Sequence, residues 1–126
     1  MTTIYHYNAP FTLESGESLS GFHLAYTTHG QLNAAKDNVI WIFHALTANS
    51  NPIEWWPGLV GDGKFFDPAR YFIICVNKPG SPYGSISPVS KKPGSHELYY
   101  GDFPVFTIRD MIKAYQHLKE ELGIKK

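Results

Sequence analysis

Residues Asn38 to Ser50 limit what this chain can fold into more than any other stretch. Val39-Ile40-Trp41-Ile42-Phe43 is an apolar run of β-branched and aromatic residues with polar positions on either side. It is too short for a helix and reads as a strand buried on both faces. His44-Ala45-Leu46-Thr47-Ala48-Asn49-Ser50 follows, small, polar and turn-prone, so the chain leaves the sheet at the carboxyl end of that strand. Open α/β sheets place their ligands at such strand ends. A second apolar run, Tyr71-Phe72-Ile73-Ile74-Cys75-Val76, comes roughly thirty residues later. Two buried strands that far apart predict a parallel pair with a right-handed crossover.

The length of 126 residues fits one domain with a core of its own. Lys plus Arg and Asp plus Glu balance at 11 each, so no field favours nucleic acid or an anionic membrane as partner. Met1-Thr2-Thr3-Ile4-Tyr5-His6 lacks both a charged n-region and an apolar h-region, and no run approaches the ~20 apolar residues of a membrane span. A soluble cytoplasmic protein is expected. The single cysteine, Cys75, sits inside an apolar run and reads as a small buried hydrophobe rather than a nucleophile.

Ahead of the first buried strand, Pro10 to Glu14, the turn Ser15-Gly16-Glu17 and a longer run from Ser18 to Thr28 predict a β-hairpin. Phe22, Leu24 and Tyr26 would share one face, with His23, Ala25 and Thr27 on the other. Between the two buried strands, Gly and Pro break up the residues from Pro52 to Pro68, leaving room for a short helical turn near Ile53 to Trp56. Trp55 and Trp56 there read as core and cover. Asn77 to Tyr100 is a long irregular loop, expected beside His44 to Thr47. Thr107-Ile108-Arg109-Asp110 carries a capping-box pattern, with Arg109 and Asp110 capping and solvating the first turn. Ile108, Met111, Ile112, Tyr115, Leu118 and Leu122 recur at helical spacing, and Gly123 supplies the stop.

Searching for chemistry excludes more than it finds. The six histidines (His6, His23, His29, His44, His96 and His117) form no HExxH motif, and no CxxC is present, so no metal site is expected. Gly58, Gly61 and Gly63 make neither a dinucleotide-binding nor a phosphate-binding loop. The nearest approach to a Gly-x-Ser-x-Gly nucleophile turn, Gly80-Ser81-Pro82-Tyr83-Gly84, has proline at the serine position. Ser81, Ser85 and Ser87 read as loop serines. What the chain does offer is the other half of such a site. Acyl-transfer enzymes of this kind take one oxyanion-hole N–H from the loop after an early buried strand, where His44-Ala45-Leu46-Thr47 stands. The plainer alternative is that His44 and Thr47 only satisfy backbone groups at a strand end.

Phe11-Thr12-Leu13-Glu14-Ser15-Gly16, His44 to Ser50, Trp55-Trp56 with Gly58-Leu59-Val60-Gly61, Tyr71 to Ile74, Asn77, Gly80-Ser81, Tyr83-Gly84-Ser85, Pro88 and Asp102 to Met111 occur in order and at compatible spacing. Together they resemble the N-terminal part of homoserine O-acetyltransferases, from about Tyr5 to Ile124. Lys78-Pro79 and Pro82 depart from the family pattern, and Lys91 to Tyr100 departs further.

The resemblance implies a partial α/β-hydrolase fold over residues 1–126: an N-terminal β-hairpin and the start of a parallel sheet with crossover helices. The nucleophile strand, the C-terminal half and the lid are expected to be absent. It implies transfer of acetyl from acetyl-CoA to the hydroxyl of L-homoserine through an acyl-serine, in methionine biosynthesis. Acetyl-CoA enters as co-substrate, and no bound cofactor is implied. Leu46 corresponds to the oxyanion-hole N–H donor, with Thr47 at the tunnel floor and His44 beside it as substrate-binding positions. The family's serine follows a strand that comes after the motif matching Leu122-Gly123-Ile124, and its aspartate and histidine come later. The 126-residue chain alone is therefore expected to be inactive. Two alternatives stand: a related enzyme using another donor, such as succinyl-CoA, or water; and a non-catalytic truncated domain that forms a homo-oligomer.

Overall fold

The computed structural model describes residues 2–126; Met1, the first residue of the expected domain, lies outside them. The chain opens with a strand that the hydropathy pattern does not mark, β1 (Thr2–Tyr7), followed by β2 (Phe11–Thr12), β3 (Ser18–Leu19) and β4 (Phe22–His29). The two apolar runs form β5 (Val39–Ile42) and β6 (Phe72–Val76), with a one-turn helix, α1 (Pro52–Trp55), between them. A single long helix follows, α2 (Ile108–Glu121).

The main sheet has the order β1-β4-β6-β5, antiparallel except for the parallel pair β5–β6. The parallel pair is as expected. The hairpin differs from expectation: only β2 and β3 pair across the Gly16 turn, two residues a side. The long strand β4 breaks away at Ser20-Gly21 and takes β1 and β6 as neighbours instead. Gly16 sits at φ +90, the left-handed conformation that its turn requires.

Alternation sorts the side chains to two faces. Phe22, Leu24, Ile74 and Val76 pack with Ala114, Tyr115 and Leu118 of α2, joined by Phe11, Leu13 and Leu19 from the small hairpin. Ile42, Ile73 and Cys75 pack on the other face with Val60, Ile53 and Trp55. Ala25 and Thr27 are buried as well, so β4 is covered on both faces. The expectation that the Val39–Phe43 run is buried on both faces is corrected. β5 is the sheet edge among the described residues; Val39, Ile40 and Trp41 are half-buried, and Phe43 is 57% exposed. β6, flanked by β4 and β5, is the strand that is fully enclosed.

Helix α2 begins with the capping box read from the sequence. Asp110 N–H donates to Thr107 Oγ1 at 3.1 Å, and Asp110 Oδ2 accepts from Thr107 N–H at 3.0 Å. Asp110 is not solvated, however: it is fully buried, and its Oδ1 accepts the Glu14 N–H at 3.0 Å, tying the hairpin to the helix. The helix ends at Gly123 (φ +70), with Gly123 N–H to Glu120 O and Ile124 N–H to Lys119 O, the paired bonds of a Schellman motif. Among the described residues no helix is long and apolar enough to cross a membrane.

Candidate active site

Where β5 ends, the side chains reverse their exposure: Phe43 faces out and His44 is buried. The imidazole of His44 has a defined tautomer, because its partners allow one assignment. Ala45 O, 2.7 Å from Nδ1, only accepts, and the Lys78 N–H, 3.1 Å from Nε2, only donates. Nδ1 therefore carries the proton. Burial is the main reason the ring sits below the ordinary imidazole value; the Ala45 hydrogen bond opposes that and the Lys78 charge adds to it. A neutral His44 thus ties the loop after β5 to the loop after β6.

That tie leaves a turn standing clear. Ala48 N–H donates to Ala45 O at 3.0 Å, which puts Leu46 and Thr47 at the corners. Leu46 is 92% exposed and Thr47 is exposed. Among the described residues none accepts the Leu46 N–H. The arrangement is a backbone donor presented at the carboxyl end of a parallel strand and held from behind by a fixed imidazole. Such a donor stabilises negative charge developing on a carbonyl oxygen, provided the reacting carbonyl comes within hydrogen-bond reach of it.

Behind the turn lies a buried polar network. Thr27 and Ser50 share a hydroxyl hydrogen bond of 2.8 Å, and Asn77 Nδ2 donates to Ser50 Oγ at 2.9 Å and to Tyr83 O at 3.0 Å. Ser85 Oγ accepts the Ala25 N–H at 2.9 Å and donates to Asn77 O. Asn49 O accepts from Trp55 Nε1 at 2.9 Å, while Trp55 and Trp56 stack 5.7 Å apart. These contacts join the loops after β5 and β6, so of the expected Asn77–Tyr100 loop the first part, to Ser85, lies beside the His44 turn, while Ile86 to Tyr99 runs instead along His6, Tyr7, Ser20 and His23. Residue types alone give no sign that Thr27, Ser50, Asn77 and Ser85 meet; Asn77, a polar residue directly after the enclosed strand β6, is the one local signal. Cys75, buried beside these loops, has its thiol pushed up to about 12 by burial, as suits a packing residue.

The chain is 53% identical, over 98% of its length, to the homoserine O-acetyltransferase of Cyclobacterium marinum, and 46% identical over 99% to that of Chlorobium luteolum. Over nearly its whole length the chain is similar to homoserine O-acetyltransferases. It spans 35% of the length of each of those relatives. The crystal structure of homoserine O-acetyltransferase from Bacillus anthracis superposes with a TM-score of 0.83 at 31% identity, covering 98% of this chain and 37% of that one. Esterase E22 superposes with a TM-score of 0.82 at 30% identity, covering 100% and 39%. No family model matches the chain. The sheet order, the parallel β5–β6 pair and these likenesses make it part of an α/β-hydrolase fold.

Within that family fold, the predicted site residues divide by what they touch. Leu46 and Thr47 present the free turn, whereas both ring nitrogens of His44 are engaged inside the chain.

Proposed function

We propose that this chain supplies the oxyanion side of an acyltransferase site that moves acetyl from acetyl-CoA to the hydroxyl of L-homoserine. The observation that carries the reading is a Leu46 N–H without an acceptor among the described residues, in a sequence so similar to homoserine O-acetyltransferases. In this role Leu46 N–H binds the thioester oxygen as it gains charge. Thr47 lines the same turn, and His44 holds the turn in place. The chain carries no Gly-x-Ser-x-Gly turn, so the covalent step needs a serine from outside these 126 residues. A second reading, ester hydrolysis, is supported by the likeness to esterase E22. The higher identity to the acetyltransferases favours the first.

The test measures CoA release from acetyl-CoA, with and without L-homoserine. It compares the chain alone with a chimera in which the chain replaces the matching third of the Cyclobacterium marinum relative. The chain alone is expected to be silent, and the chimera to release CoA only with homoserine present. Leu46→Pro, which deletes the N–H, should lower the chimera's kcat by about 100-fold. Turnover by the chain alone, or an unaffected Leu46→Pro chimera, overturns the reading; acetyl-ester hydrolysis without homoserine dependence moves it to the second.

A further inference from the structure

Strands β1 and β4 are paired so that His6 stands directly opposite His23. Directly opposed residues of an antiparallel pair carry their side chains on the same face. The two imidazole centroids are 6.0 Å apart, with the rings inclined at 40°. Among the described residues, the histidine hydrogen bonds are those of His29 and His44, so neither His6 nor His23 spends a ring nitrogen on the protein. Two half-free imidazoles facing one another on rigid neighbouring strands are a bidentate ligand. Two imidazoles sharing one tetrahedral ion, with metal–nitrogen bonds of about 2.0 Å, place their centroids roughly 5 Å apart. The exposed His6 closes the remaining gap by side-chain rotation.

We propose that His6 and His23 form a two-imidazole site for a divalent transition ion, Cu2+, Ni2+ or Zn2+, that staples the N-terminal strand to the sheet. The proposal is independent of the acyltransferase reading. Neutral imidazole selects these ions over Mg2+ and Ca2+, which take oxygen ligands. The pair opens onto a cleft of ≈ 230 Å³ that also includes Ser20, Ser90, Lys91 and Tyr99, leaving room for water or an added ligand to complete the coordination. Among the described residues, no group of three or more His, Cys, Asp or Glu could hold an ion. With two protein ligands, and the Lys91 ammonium lining the same cleft, the site is a moderate binder that exchanges its ion.

Titrating the purified chain with Ni2+ while following the histidine ring protons by NMR tests this. Saturable one-to-one binding is expected, with the His6 and His23 resonances broadened first and a rise in Tm. His6→Asn, at an exposed position that spares the fold, should weaken binding at least tenfold and abolish the Tm rise. His96→Asn should change neither. His23→Asn is a second variant, read only if its circular dichroism matches the parent. Unchanged Ni2+ affinity in His6→Asn, broadening centred on another histidine, or an equal Tm rise with Mg2+ overturns the proposal.

Discussion

The packing under α2 and the edge at β5 are built from the same kinds of residue, yet only one of them is closed. Under α2, Leu24, Ile74, Ala114 and Leu118 are fully buried, and the polar groups at the rim are answered, Asp110 by Thr107 and Glu14. At the β5 edge, Trp41, Phe43, Ile112 and Tyr115 line an open apolar cleft of ≈ 250 Å³. There Trp41 Nε1 and Tyr115 OH are buried without a protein partner. An unpaired strand edge beside an apolar surface is a place where another segment adds readily. An apolar run such as Val39–Phe43 can mark a strand without marking its enclosure. Enclosure needs a neighbour on each side.

Two truncations separate the closed core from the open edge. Leu118→Ala should cost about 3 kcal/mol in urea unfolding, since it opens a cavity in a closed core. Phe43→Ala, at an exposed position, should cost well under about 1 kcal/mol. Equal costs would mean that the β5 edge is covered in solution.

Asp110→Ala comes next, at about 2 kcal/mol, because it removes a buried carboxylate that accepts from the Thr107 and Glu14 N–H groups. Burial alone would raise this carboxyl, but those N–H groups and Lys113 outweigh it and hold it lowered. Its contribution is therefore full above the unfolded aspartate value, about 3.9, and is lost as pH falls through the lower folded value. Acid melts of the parent and Asp110→Asn should converge below that range.

A smaller effect is expected at His44. Because its folded value lies below the unfolded one, near 6.5, stability should fall as pH drops from there toward the folded value. His44→Gln should make that slope shallower, the remainder belonging to His23, which burial also holds low, and the Lys78 amide should exchange faster in the variant. An unchanged slope would mean that His44 contributes none of it. The least effect belongs to Leu46→Ala, expected within about 0.5 kcal/mol of the parent by thermal melt, since an exposed turn side chain supports nothing.

Much of this fold is legible in the residues. The two apolar runs mark a parallel pair, Thr107 to Asp110 mark a capped helix, and Gly123 marks its end, because each rests on local patterning or a single backbone requirement. What the residues conceal depends on pairing. β1 is polar and exposed along much of its length, so no alternation marks it, and without it the long strand β4 is matched to the wrong partner. The same gap hides His6 and His23 from one another: seventeen residues apart, they meet only through a register that no spacing rule contains. At the candidate site the turn is legible, while the network behind it joins Thr27, Ser50, Asn77 and Ser85 from three segments.

The ties between the hairpin and α2 also set a timetable. Thr12 O accepts from Lys113 Nζ, and the Glu14 N–H reaches Asp110, across separations of 101 and 96 residues. At synthesis rates of about 5–20 residues per second, the hairpin waits roughly 5–20 s for the helix that completes it. Until then Phe11 has Tyr7, Leu19 and Phe22 against it but no helix over it.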